Sequence, residues 1–87
     1  MNLELSKIYN LYEIFNDFNR VRVLVTMYNN SYTCNEITTN SNLKSIIVKH
    51  ELDFLLKKKI ISKIDNKYII SDKKFNKIIN QIINYSK

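Results

Sequence analysis

None of the 87 residues is glycine or proline. Glycine enters left-handed backbone without steric cost, and proline presets turns and ends helices. A chain lacking both must turn on residues whose short polar side chains tolerate the left-handed region, so asparagine and aspartate become its punctuation. Asn29-Asn30, Asn40, Asn42 and Asn66 fall between apolar runs and mark the expected element ends. With Cys34 the only cysteine, no intramolecular disulfide can staple the fold. A single small domain must then hold by packing, helped by a second copy of itself, and a reducing cytoplasm is the natural compartment. No apolar run approaches the roughly 20 residues that span a bilayer. The stretch from Met1 to Arg20 lacks the basic start and continuous apolar core of a signal peptide. The sequence therefore predicts a cytoplasmic protein with no membrane partner.

Between the punctuation marks the apolar residues recur at helical spacing. Leu3, Ile8, Leu11, Phe15 and Phe18 define a first helix, widened by Leu5, Tyr9, Tyr12 and Ile14. A helix apolar on more than one side must bury the second against something, and a partner chain is the expected cover. Asn19 is the expected cap of a second helix, in which Val21, Val23, Leu24, Val25, Met27 and Tyr28 form a mostly buried segment. Thr33 and Glu36 have the spacing of a capping box, opening a short third helix through Thr39 with Ile37 in the core. After a turn at Asn40 to Asn42, a fourth helix from about Lys44 to Lys58 buries Val48, Leu52 and Leu55, with Leu43 sealing the turn. Ile60 to Ile64 and Tyr68 to Ser71 alternate as two strands meeting at Asp65-Asn66. Ser71 or Asp72 then caps a last helix striped by Phe75, Ile78, Ile79, Ile82 and Ile83, with Lys73, Lys74 and Lys77 opposite.

Helix, turn, helix and basic hairpin is the layout of a winged helix-turn-helix, a mainly α fold with a small β-hairpin. The expected organisation is one domain over residues 1–87, with the helix-turn-helix at 33–58, the wing at 60–71, and dimerisation helices at 1–18 and 72–87. The dimer seam predicted from the apolar stripes comprises Leu3, Ile8, Leu11, Phe15, Phe75, Ile78, Ile79, Ile82 and Ile83.

Charge follows the same division. Residues 1–43 hold three cations and four carboxylates, a net of −1, whereas residues 44–87 hold eleven lysines and four carboxylates, a net of +7. The basic half begins where the fourth helix begins, as neutralisation of a phosphate backbone requires. The residues assigned to double-stranded DNA are Lys44, Ser45, Lys49 and His50 on the helix, Lys63, Asn66 and Lys67 on the wing, and Arg20 at the start of the second helix, an ion pair with Asp17 being the equal alternative for Arg20. Ile46 and Ile47 are expected to pack against the second helix, contact with a thymine methyl group being the other possibility.

The run Asp17-Phe18-Asn19-Arg20-Val21-Arg22-Val23-Leu24 resembles the Asp-Pro-Thr-Arg-Leu-Arg-Ile-Leu stretch that opens the second helix of ArsR-type winged-helix repressors. Glu36-Ile37 matches that family's Glu-Leu, and Val48, Leu52 and Leu55 its recognition-helix core. Ile60-Ile61 matches the apolar pair entering the wing. The resemblance spans Tyr12 to Ser71 and implies a dimeric DNA-binding regulator. MarR-like, archaeal and viral regulators share the build. This chain departs from the pattern at three points: Glu51 stands where the family usually has His, with His50 displaced by one, Lys59 replaces a Gly, and Ser41 replaces an apolar turn residue. Metal-sensing members carry Cys-x-Cys at the start of the third helix, where this chain has Thr33 and Asn35 around Cys34. One thiol and one imidazole do not make a soft-metal site, so no metal is expected.

No Gly-rich phosphate loop and no Ser/His/Asp grouping is present, so the sequence predicts neither an enzyme nor a cofactor. A homodimeric repressor acting by occlusion is the reading it favours. The rival is a winged helix serving as a protein-interaction module, and a membrane-surface protein using the last helix is weaker because that helix lacks Trp.

Overall fold

The computed structural model describes residues 11–85. In chain order these form α1 (helical over residues 11–15), α2 (Phe18–Met27), β1 (Tyr32–Thr33), α3 (Cys34–Ser41), α4 (Ser45–Lys57), β2 (Ile61–Ile64), β3 (Lys67–Ile70) and α5 (Lys73–Tyr85). Leu3 and Ile8, assigned to the dimer seam, lie outside the described residues.

The turns show how a chain without glycine bends. Asn29, Asn42, Lys59 and Asp65 take positive φ of 60°, 60°, 62° and 50°. Asn29 turns the chain after α2, and Asn42 is the left-handed C-cap that stops α3. Asn40 is not a turn residue, because α3 continues through Ser41. In the hairpin the left-handed residue is Asp65 rather than Asn66. Lys59 lacks the local hydrogen bonding that eases Asn and Asp into this region. It nonetheless reverses the chain between α4 and β2, at the position of the family's glycine.

Helix boundaries follow their caps. Asp17, not Asn19, caps α2: its carboxylate accepts from the Asn19 and Arg20 amides at 2.9 and 3.3 Å. Phe18 thereby opens α2 instead of extending the first helix, and it is 74% exposed. The Thr33–Glu36 capping box forms as read from the sequence, with Glu36 N–H donating to Thr33 Oγ1 at 3.2 Å and Thr33 N–H donating to Glu36 Oε1 at 3.0 Å. Asp72 caps α5 through the Lys74 and Phe75 amides at 2.9 and 3.3 Å.

The sheet has a third strand that the alternation pattern did not reveal. Its order is β1-β3-β2, antiparallel throughout, with Tyr32 and Thr33 opposite Tyr68 and Lys67. In the hairpin Ile61, Ser62, Lys63 and Ile64 face Ile70, Ile69, Tyr68 and Lys67. Because β1 runs directly into α3, this short pairing fixes the start of the helix-turn-helix to the base of the hairpin.

One core ties the elements together. Leu24 and Met27 from α2, Ile37 from α3, Val48, Leu52 and Leu55 from α4, Ile60, Ile61 and Ile70 around the hairpin and Ile79 from α5 are all buried. Each such side chain contributes roughly 1.5–3 kcal/mol relative to exposure. Ile79 is 0% exposed in the single chain. It belongs to this core, which removes it from the predicted dimer seam: helical periodicity identified an apolar stripe without telling which neighbour covers it.

Candidate nucleic-acid interface

The fourth helix divides cleanly. Val48, Glu51, Leu52 and Leu55 are its buried residues, whereas Lys44, Ser45, Ile46, Lys49, His50, Asp53 and Lys57 are exposed. The four residues assigned to DNA on this helix, Lys44, Ser45, Lys49 and His50, thus all reach solvent from its first turns. Ile47 is half-buried, but Ile46 is 74% exposed, so the expected packing against α2 fails for Ile46. Asp53 lies on the same outer face. A carboxylate there would repel a phosphate, so the side of this face able to take an anion is its N-terminal half.

Arg20 is not part of this surface. Its side chain is 10% exposed and its Nε donates to Glu51 Oε2 at 2.8 Å, the Glu51 side chain being 5% exposed. Its Nη1 donates to the Glu13 carbonyl at 2.9 Å, and Asp17 Oδ2 lies 3.8 Å from Nη2. The guanidinium carbon also stands 3.7 Å from the centroid of the Phe54 ring. Nε and Nη1 are engaged by hydrogen bonds and the side chain is 10% exposed, so Arg20 does not reach the outer surface where phosphate was expected to meet it. Its role is to clamp α4 to α2. Removing one member of a buried pair typically costs about 3–5 kcal/mol, because the other charge stays behind. His50 Nδ1 lies 3.6 Å from Glu51 Oε1, beyond a normal hydrogen bond, so the ring remains on the outer face beside this pair.

At the end of α4, Lys58 Nζ approaches Glu13 Oε2 at 3.5 Å and stands 5.6 Å from the Phe54 ring centroid, fastening that end toward α1. The turn of the helix-turn-helix is held through α2, where Arg22 Nε donates to the Ser41 carbonyl. Ser41 is buried and its Oγ accepts from the Leu43 amide at 3.4 Å.

On the wing, Lys63, Asn66 and Lys67 are all exposed. Paired residues share a face and neighbours alternate. Lys63 therefore lies on the Tyr68 side, with its ammonium 5.4 Å from that ring centroid, and Lys67 on the Ile64 side. The two cations straddle the hairpin, with Asn66 at the tip between them. Lys63, Asn66 and Tyr68 also face Thr33, Cys34 and Asn35 across an open cleft at the start of α3. Cys34 is half-buried there as a free thiol. The Glu36 carboxyl is held below its usual range, chiefly by the Thr33 backbone N–H it accepts from, aided by the Thr33 hydroxyl and the charge of Lys67. Among the described residues no group of three or more His, Cys, Asp and Glu stands close enough to hold a metal ion, and no helix is long and apolar enough to cross a membrane.

Phe15 stacks against Phe75 with centroids 5.9 Å apart, joining α1 to α5. Phe15, Phe75, Ile82 and Ile83 are half-buried against the core, Ile78 is also half-buried, and Leu11 is 38% exposed.

The same architecture occurs in solved proteins. The structure of a predicted DNA-binding transcriptional regulator from E. coli matches with a TM-score of 0.82 over 93% of this chain and 90% of that one, at 16% sequence identity. The fold is a winged helix. The transcriptional repressor BigR from Xylella fastidiosa matches with a TM-score of 0.80 over 93% of this chain and 87% of its own, at 14% identity. No protein-family model matches the sequence, and no curated protein matches it. The likeness is therefore one of architecture, and it agrees with the winged helix-turn-helix read from the residues: α3 and α4 are the helix-turn-helix and β2 with β3 the wing. The three departures from the ArsR-type pattern each have a structural counterpart. Glu51 gains the buried Arg20, Ser41 supplies a hydroxyl to its own turn, and Lys59 takes the left-handed backbone a glycine would.

Proposed function

We propose that this chain is a sequence-specific, double-stranded DNA-binding transcriptional regulator, acting as a homodimeric repressor by occlusion. The observation that carries the reading is the division of α4 within a winged-helix frame. One side is locked into the protein by Val48, Glu51, Leu52 and Leu55, the other presents Lys44, Ser45, Lys49 and His50, and the wing that follows carries Lys63 and Lys67 on its two faces. Lys49 and the wing pair Lys63 and Lys67 supply phosphate contacts, with Asn66 entering at the hairpin tip. The surface around the Phe15–Phe75 stack, including Leu11, Ile78, Ile82 and Ile83, forms the seam between two copies. A two-fold dimer of this kind sets its recognition helices about one helical turn, roughly 34 Å, apart on a near-palindromic site.

A salt-dependent binding titration on random and enriched duplexes tests this, with sedimentation to establish the dimer. Specific binding is expected to fall steeply with salt, and Lys49→Ala and Lys67→Ala are each expected to flatten the slope by about one unit, the release from one phosphate contact. Unchanged slopes in both variants would remove those lysines from the interface. Absence of duplex binding even at low salt, with a monomer in sedimentation, would instead favour the protein-interaction module.

A further inference from the structure

The outer face of α4 carries one side chain whose exposure the helix itself does not explain. Ile46 is 74% exposed, in a helix whose other aliphatic residues are buried or half-buried. At roughly 100° per residue, Ile46 projects within about 10° of the direction opposite the mean of Val48, Glu51, Leu52 and Leu55. It is thus the centre of the exposed face, with Lys49 and His50 one turn further on either side of it. A surface lying against Lys49 and His50 at the start of this face also lies against Ile46.

We propose that Ile46 is a specificity-determining residue that reads the 5-methyl group of a thymine in the major groove of each half-site. The inference rests on the DNA-binding reading above and deepens it. Among the groups presented in the major groove, the thymine C5-methyl is the apolar one, and the remaining edges are donors and acceptors that an aliphatic side chain cannot satisfy. Ile46 is β-branched, so in a helix its first side-chain torsion is almost fixed. The side chain is therefore presented in one orientation before binding. It stands in the first turn of α4, the part of a recognition helix that contacts base edges. Lys49 and His50 provide the polar surroundings that hold the duplex in register, while Ile46 adds no charge and so contributes nothing to non-specific attraction.

The test uses the full chain and duplexes enriched from a random-sequence pool, resynthesised with uracil replacing one thymine at a time. Uracil pairs identically and lacks only the methyl group. Wild-type protein is expected to lose about fourfold in affinity at one thymine position of each half-site, the value of burying one methyl-sized group. Ile46→Ala is expected to bind that duplex more weakly than wild type, to be indifferent to the same uracil, and to keep the wild-type salt slope. Specific binding that tolerates uracil at every position would overturn the assignment, as would an Ile46→Ala variant that retains the uracil penalty. Failure to enrich any duplex, with equally weak binding to all, would overturn the DNA-binding reading itself and this inference with it.

Discussion

The starts of α3 and α4 stand eleven residues apart in one helix-turn-helix and are built in opposite ways. At α3, Thr33 and Glu36 satisfy each other's backbone amides in a reciprocal box, with an acid in the first turn. At α4, the capping residue is Lys44, which makes no side-chain cap bond, and the first turn holds no acid. The starts of α2 and α5 side with α3, since Asp17 and Asp72 cap them. A helix start leaves backbone donors and partial positive charge that a carboxylate or hydroxyl normally answers. Among the four described starts, those of α2 to α5, three are answered from within the chain. The fourth carries a lysine in the capping position, and it is the one that the proposed function turns toward phosphate.

The largest effect expected from disturbing a capped start is at α2. Asp17 accepts from two amides and lies 3.8 Å from the Arg20 guanidinium. Asp17→Ala is expected to lower the unfolding free energy by about 1–2 kcal/mol, mostly through the cap, because the exposed part of the ion pair adds little. Urea denaturation reads this as a lowered midpoint at unchanged slope. A loss below about 0.3 kcal/mol would mean that water replaces the cap without penalty, and the contrast between capped and uncapped starts would lose its energetic meaning.

The second disturbance runs the other way. Lys44 already has the extended backbone of a capping residue, with φ −72° and ψ 145°. Lys44→Asp is therefore expected to raise stability by about 1 kcal/mol, from a new cap and a favourable charge at the helix start. The same change is expected to weaken duplex binding and flatten its salt dependence by about one unit, as a cation leaves the interface. Increased stability together with unaltered duplex affinity would show that the start of α4 does not face phosphate. Increased stability with weakened duplex binding, the expected pair of effects, would mark the natural lysine as stability forgone for binding, the trade common at functional sites.

What could be read from the sequence divides along the same physical line. Local signals were legible: the Thr33–Glu36 box, the Asn29 and Asn42 turns, and the burial of Ile37, Val48, Leu52 and Leu55 all depend on residues within a few positions of one another. Asp17 displaced Asn19 as a cap because the chain leaves α1 early, a boundary that periodicity blurs. Non-local events were not legible. Arg20 and Glu51 are 31 residues apart, and nothing in their spacing distinguishes a buried clamp from two solvated charges. Strand β1 has two residues and exists through its pairing with β3. Ile79 and Ile46 show the same gap from opposite sides, since an apolar residue on a helix announces that it wants cover without saying whose.

The smallest effect belongs to the capped start of α3 and is visible as pH dependence. The Glu36 carboxyl is held below its ordinary value of 4.5, first by the Thr33 N–H, which outweighs the opposing effect of burial, and then by the Thr33 hydroxyl and Lys67. A carboxyl whose affinity for protons is lower in the folded state adds stability above its unfolded pKa, and that stability is lost as pH falls through the folded value. Glu36→Gln keeps the geometry of the box without the titrating group. Wild type is therefore expected to lose slightly more melting temperature than Glu36→Gln as the pH drops from neutral through the carboxylate range. The difference should shrink in Lys67→Ala, where one of the groups favouring the anion is gone. Parallel acid limbs for wild type and Glu36→Gln would show that the box stabilises α3 by geometry alone, leaving the charge of Glu36 free to compete with phosphate for Lys67.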